Sequence, residues 1–235
     1  MAVRRIQSRL KKLANKEYAE VSRRFFKTGP GEYGEGDQFL GIRVPLLRKL
    51  AKEYETIAVD EAEDLLQSMI HEERLLALFI LIRIYSRGDN AVKKQVYSLY
   101  LNNTGFINNW DLVDGSAAHI VGHFLQDRNK KPLHRLAKSE SLWERRISII
   151  ATFCFIKQGQ FTETLKIAST LSNDKEDLIH KAVGWMLREV GKRDLPAEEA
   201  FLKAHYRNMP RTMLRYAIER FPEPKRQRYL KGLIF

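Results

Sequence analysis

Asn108-Asn109-Trp110-Asp111-Leu112-Val113-Asp114 lies in mid-chain and makes a poor core segment. Two amides and two carboxylates surround a large aromatic where a helix should begin. Asn108 or Asn109 suits an N-cap, accepting from the free N–H groups of the first turn. Trp110 and Asp114 are four apart and so share a helical face. An indole and a carboxylate side by side can hold a cation between them. The plainer reading is that Asp111 and Asp114 complement the helix dipole and Trp110 belongs to the core.

Outward from this stretch the chain reads as helices throughout, with no period-2 strand. A first helix over 3–26 follows from Val3, Ile6, Leu10, Leu13 and Ala14. A Gly-rich loop, placed near 27–39, contains Gly29, Pro30, Gly31, Gly34 and Gly36. No Gly-Lys-Ser/Thr leads from it into a helix, so it is not a P-loop. Tyr33 at its centre reads as an exposed aromatic that touches a ligand, or equally as a turn residue packing locally. Pro45 opens a helix to about Tyr54. Helices then pair: 60–70 with 72–86, 90–101 with 109–126, 131–138 with 142–157, 161–171 with 176–192, and 197–207 with 211–220. Pro132, Pro196, Pro210 and Pro222 all stand at expected helix starts.

The openings of the second helices can be aligned. Arg43, Arg74, Asp111, Arg146, Lys181 and Arg211 each precede an apolar run, at spacings of 31, 37, 35, 35 and 30. That is a two-helix period near the helical-repeat range of about 34–47 residues. The expectation is a single all-α domain over 1–235, about six helix pairs in a HEAT-like superhelix, an α-solenoid whose second helices line a concave face. In this register five of six positions are cations, giving a basic ridge interrupted at Asp111. A basic ridge suits a polyanionic backbone. Each cation taken singly reads more simply as a solvated surface charge.

Composition points the same way. The net charge is +12 at a pI near 9.7, so an anionic partner is expected. Residues 1–27 hold nine Lys/Arg against two Glu, and residues 203–235 repeat those numbers. The single cysteine, Cys154, excludes a disulfide framework and fits a reducing, cytoplasmic setting. The N-terminus is charged and amphipathic rather than a signal peptide, and no apolar run is long enough to span a bilayer. Neither a membrane nor an obligate protein partner is expected.

Other chemistries fit poorly. His119 and His123 are four apart but lack the Glu of His-Glu-x-x-His and a third ligand, so no metal is expected and the pair reads as buried or capping. Cys154 has no acid–base neighbour and sits among apolar residues, which argues against a nucleophile. Trp185 is more suggestive. Gly184 beside it costs about 0.8–1 kcal/mol in a helix against Ala, as if something lay close to the helix surface. Lys181, Arg188 and Lys192 ring the indole, a pattern closer to a nucleic-acid contact than to core.

Phe39-Leu40-Gly41-Ile42-Arg43-Val44-Pro45, Trp110-Asp111-Leu112-Val113-Asp114, Trp143-Glu144-Arg145-Arg146 and Lys181-Ala182-Val183-Gly184-Trp185-Met186-Leu187-Arg188-Glu189 together resemble the AlkD family of bacterial DNA alkylation-repair proteins. The resemblance spans most of the chain, with the motifs in order. It implies HEAT-like repeats wrapping duplex DNA as a monomer. It also implies a glycosylase for cationic N3- and N7-alkylpurines that needs no metal or organic cofactor and does not flip the base into a pocket, unlike most base-modifying enzymes. By motif, Asp114 is the expected catalytic carboxylate. Trp110 and Trp185 flank the lesioned nucleotide, and Arg146, Arg188 and Lys192 hold phosphates. Two features depart from the family: Asn109 replaces an aromatic found in some relatives, and the family's N-terminal aromatic contact has no evident match near Tyr33. The alternatives are a non-catalytic binder of damaged or branched DNA on the same scaffold, expected to have lost Asp114, and a helical scaffold for acidic protein partners.

Overall fold

The computed structural model describes residues 2–234. Among these the chain is all-α; the one sheet-like contact is an isolated parallel bridge between Gln38 and Ile70. The chain forms two compact units that meet in sequence between Ser116 and Ala117.

The first unit contains α1 (Ala2–Lys12), α2 (Lys16–Phe25), α3 (Val44–Glu53), α4 (Val59–Leu66), α5 (His71–Arg87), α6 (Asn90–Asn102) and α7 (Trp110–Asp114). Its centre is α5, against which α3, α4 and α6 pack. Leu75 through Leu81 are all buried, so this helix is apolar around its whole girth, as a fully enclosed helix must be. Burying each such Leu or Ile contributes about 1.5–3 kcal/mol.

The second unit contains α8 (His123–Leu125), α9 (Lys131–Leu136), α10 (Leu142–Ala151), α11 (Phe153–Ile156), α12 (Thr162–Thr170), α13 (Asp177–Gly191), α14 (Leu195–His205), α15 (Arg211–Ala217) and α16 (Glu223–Leu230). Here the second helices of successive pairs pack on one another, α10 on α13 and α13 on α15, with α9, α12 and α14 behind them.

The helices expected from sequence are present, with breaks that local chemistry explains. The span 3–26 is two helices. Asn15 ends the first by capping the second, its side chain accepting from the Tyr18 N–H at 3.0 Å while its own N–H donates to Leu40 O at 2.8 Å. The span 109–126 stops after Asp114. The Ser116 hydroxyl donates to Leu112 O at 2.5 Å, and the Tyr100 hydroxyl donates to Ser116 Oγ at 2.9 Å; such back-bonding bends helices. A π-helical turn, Ala118–Gly122, then leads into α8. His119 and His123 on this segment are exposed rather than buried, and His123 stands at the C-cap of the π-helical turn.

The repeat has a physical mark. In three pairs a side chain in the first turn of the second helix donates to a carbonyl six residues earlier, fastening the turn between the helices. Arg74 bonds Ser68 O at 3.0 Å, Arg145 bonds Ser139 O at 3.0 Å, and His180 bonds Asp174 O at 2.6 Å. Arg145 and His180 are 35 apart, and Arg74 precedes Arg145 by 71, one more than two such periods. The equivalent of Arg74 is therefore Arg145, one residue before the Arg146 that the apolar runs align with it.

Candidate functional site

The site in the first unit is built at the opening of α5. Four consecutive polar residues, His71-Glu72-Glu73-Arg74, are all buried, and each makes a long-range bond. The Glu72 carboxylate accepts from the backbone N–H groups of Leu40, Gly41 and Ile42 at 2.9, 2.7 and 3.2 Å. It thereby clasps the strap leading out of the Gly-rich loop. Glu73 accepts from the Gln7 amide on α1 at 2.9 Å. Arg74 pairs with Asp37 of the loop at 2.7 Å and donates to Asn108 Oδ1 at 3.1 Å.

His71 is enclosed on every side. Its Nδ1 lies 3.1 Å from Asp37 Oδ2 and its Nε2 lies 2.9 Å from Asp111 Oδ2. Phe39 stacks on the imidazole with centroids 4.6 Å apart, and Phe26 lies 4.9 Å away. Burial by itself would lower the pKa of His71. The bonds to Asp111 and Asp37 outweigh it and raise the pKa from 6.5 to about 9. Asp37 suffers burial too, which favours its neutral form, but His71 and Arg74 hold its pKa below the usual range.

Upon this base sits α7. Asn109 caps it, accepting from the Trp110 N–H at 2.8 Å, and its amide reaches Asp37 at 3.4 Å. The indole of Trp110 stacks on Phe26 at 5.4 Å, with Phe25 against it edge-on at 5.8 Å. Trp110 is thus half-buried on an aromatic ladder of Phe39, His71 and Phe26, while Phe25 is 62% exposed. The Gly-rich loop reaches this place by folding back on the end of α2. The Gly34 N–H donates to Lys27 O at 3.0 Å, and a Cβ on Gly34 would meet Phe26 O at 2.4 Å. Asp114, also half-buried, ends α7 one turn beyond Trp110.

Asp111 is therefore no outward acidic notch; its carboxylate turns inward to His71 and accepts from the Leu112 N–H at 2.9 Å. Arg74 is no ridge cation either, because its guanidinium is buried against Asp37 and Ser68 O. Tyr33 is half-buried within its loop rather than fully exposed. Arg43 and Arg211 are exposed, and the Arg43 guanidinium stacks over the Tyr18 ring at 4.2 Å.

In the second unit, Arg146 is buried and donates to Leu178 O. The helix α13 carries Lys181, Trp185 and Arg188, with Lys192 at its C-cap, each cation meeting an acid: Lys181 with Asp177 at 2.7 Å, Arg188 with Glu219, and Lys192 with Glu189 at 2.5 Å. Trp185 is half-buried against Phe153, centroids 5.9 Å apart. Gly184 makes room for α15 and not for a ligand: a Cβ there would meet Met213 O at 2.4 Å and Tyr216 Cβ at 2.5 Å. Cys154 is half-buried, and burial pushes its thiol pKa up, away from nucleophilic duty.

The sequence reading gave no site role to Phe25, Phe26, Phe39, Asp37 or His71. Its available signal was the run of charge at 71–74 directly before eight apolar residues. A helix apolar all round is enclosed, so charges at its opening need partners.

The architecture is that of an all-α helical-repeat protein. The family model for DNA alkylation repair enzymes matches residues 6–221, and this chain belongs to that family. Two solved structures share the fold. The predicted DNA alkylation repair enzyme from Enterococcus faecalis superposes with a TM-score of 0.68 at 18% identity, covering 89% of this chain and 97% of that one. AlkD2 from Streptococcus mutans gives 0.55 at 17% identity, covering 87% and 98%. Among curated proteins none matches the sequence. No helix among the described residues is long and apolar enough to cross a membrane.

Proposed function

We propose that this chain is a monofunctional DNA glycosylase, hydrolysing the N-glycosidic bond of cationic alkylated purines such as 3-methyladenine and 7-methylguanine in duplex DNA. The observation that carries the reading is Trp110 and Asp114 one turn apart on α7, with the indole stacked on Phe26 and flanked by the exposed ring of Phe25.

The chemistry follows from the substrate's charge. An alkylated purine is already a cation, so it leaves with the bonding electron pair as a neutral base and needs no general acid. Positive charge passes to the sugar as an oxocarbenium ion. A carboxylate aimed there stabilises it, as in glycoside hydrolysis. At 4 Å the attraction is about 4 kcal/mol for an effective dielectric of 20, and preorganised groups of this kind are typically worth about 10²–10³ in rate. Asp114 fills this role and orients the attacking water, whose oxygen bonds to the sugar carbon while its proton is lost to solvent. Indole faces attract the cationic nucleotide by roughly 0.5–2 kcal/mol each. Trp110 supplies one; Trp185 is assigned another on the family resemblance alone. An uncharged base leaves poorly, and nothing in this scheme activates it.

Duplex binding is assigned to Arg43, Lys181, Arg188, Lys192 and Arg211. Arg146, which donates from Nη1 to Leu178 O, is assigned a phosphate on the family resemblance alone. We take the chain to act as a monomer on one duplex, without cofactor or obligate protein partner.

The test is release of 7-methylguanine and 3-methyladenine from methylated duplex by wild type and by Asp114→Asn. Release by wild type with a loss of about 10²-fold or more in the variant is the expected result. Tight binding without release by wild type would make the chain a binder of damaged DNA. Equal release by both would take the chemistry away from Asp114.

A further inference from the structure

We propose that His71 is a positioning residue of this site, held between Asp37 and Asp111 so that Trp110 and Asp114 stand at fixed places on α7. For catalysis the inference rests on the glycosylase reading above; for the geometry of α7 it does not.

The argument begins with the hydrogen count of an imidazole. Both ring nitrogens of His71 face carboxylate oxygens, at 3.1 Å and 2.9 Å. A neutral ring has one N–H, and its other nitrogen would turn a lone pair on a carboxylate. Two N–H groups satisfy both, so the geometry calls for imidazolium. The charged groups facing the ring are Asp37 from the loop, Asp111 from α7 and Arg74 from its own helix. Two carboxylates, one guanidinium and one imidazolium cancel, which allows the group to be buried. The raised pKa of His71 agrees with this protonation state.

The other half of the argument is the brevity of α7. It has five residues, too few to persist without tertiary support. Its position comes from what grips it, and on the side away from solvent that grip includes His71 on Asp111, next to Trp110 and three residues before Asp114. The same imidazole is stacked by Phe39 and contacts Phe26, the ring on which Trp110 stacks. Through Phe26, His71 reaches the Trp110 indole, and through its bond it holds Asp111 between Trp110 and Asp114 on the same short helix. With the imidazolium gone, Asp111 is free to turn outward and compete with Asp114 for the cation.

Two variants separate the effects. H71F keeps a ring in the stack and removes both N–H groups. D111N keeps a polar partner for Nε2 and removes one charge, and it serves if H71F does not fold. Three measurements are made on the full chain: histidine N–H signals by ¹⁵N-edited NMR at neutral pH, amide exchange in α7 and α13, and single-turnover release of 7-methylguanine beside duplex Kd. Wild type is expected to show both His71 N–H groups. H71F is expected to speed exchange at Leu112 and Val113 about tenfold while α13 is unchanged. It should also slow release about 10²-fold with Kd within about threefold of wild type. D111N should shift the same readings in the same direction by less and make His71 titrate at lower pH. A single N–H on His71 in wild type overturns the proposal, as does wild-type exchange in α7 of H71F, or of D111N where that variant stands in. Normal release by an H71F that frays α7 overturns the catalytic half. If wild type releases no base, the glycosylase reading fails, and exchange in α7 alone decides whether His71 positions the helix.

Discussion

At the scale of single residues the first unit ties its stability to proton uptake. His71 has a folded pKa of about 9 against 6.5 when free. A group whose pKa rises on folding contributes stability fully below its unfolded pKa, and that contribution is lost as pH rises through the folded value. The window is therefore about 6.5 to 9, and the contribution roughly 3 kcal/mol. Urea midpoints followed across this window should fall for wild type and stay nearly level for H71F. A level wild-type profile would show that His71 carries no extra proton. Residues of this kind were hard to read beforehand. Trp110 and Asp114 announce themselves by sitting together near a capping Asn, whereas the links from Asp37 to His71 and from His71 to Asp111 span 34 and 40 residues. No local spacing encodes them. Arg74 misled for the same reason, since a cation at a helix opening looks the same whether it faces solvent or a buried Asp37.

Among the elements, α13 was the more legible and α7 the less. The apolar positions of α13 recur at helical spacing over fifteen residues, and its start and end were found within a residue. What periodicity could not supply was the reason for Gly184. The glycine lies under the backbone of α15, so Gly184→Ala sets a gain in helix propensity of about 1 kcal/mol against overpacking on an immobile carbonyl, typically about 1–3 kcal/mol. The second effect wins because the nearest atom is backbone. The variant should melt lower than wild type, and an unchanged or higher Tm would mean that α15 gives way freely. The break after α7 had visible agents in Gly115 and Ser116, but Ser116 acts through Tyr100 on a neighbouring helix. The last helix, α16, carried only Pro222 as a signal because its body is strongly polar.

For the whole molecule, charge is concentrated in one unit. Residues 117–235 hold 23 of the 41 Lys and Arg and 13 of the 29 Asp and Glu, so most of the excess lies there. Three cations assigned to phosphates on α13 and at its C-cap already meet Asp177, Glu189 and Glu219. Duplex affinity should fall with salt, the slope of log K against log salt being about −0.9 for each phosphate neutralised. Glu219→Gln should raise affinity by up to about fivefold, about the worth of an ion pair with one exposed partner. No change would remove Arg188 from the duplex-binding set. The helical-pair architecture was readable in advance from the recurrence of apolar runs. The register was one residue out in two pairs, because Arg145 and Arg146, like His180 and Lys181, are adjacent basic residues and only their partners tell them apart.

The carbonyl bonds of Arg74, Arg145 and His180 have a consequence for how such a chain can change. Each bond spans six residues and closes the turn of its own pair, while the Arg74 and Arg145 guanidiniums also reach a later turn, at Asn108 and Asp174. A pair of helices copied by duplication carries its fastening with it, and one that is deleted takes its fastening away. Molecules assembled in this manner vary in length by whole cassettes, so an engineered chain with one pair added between α10 and α13 inherits a turn that is already closed.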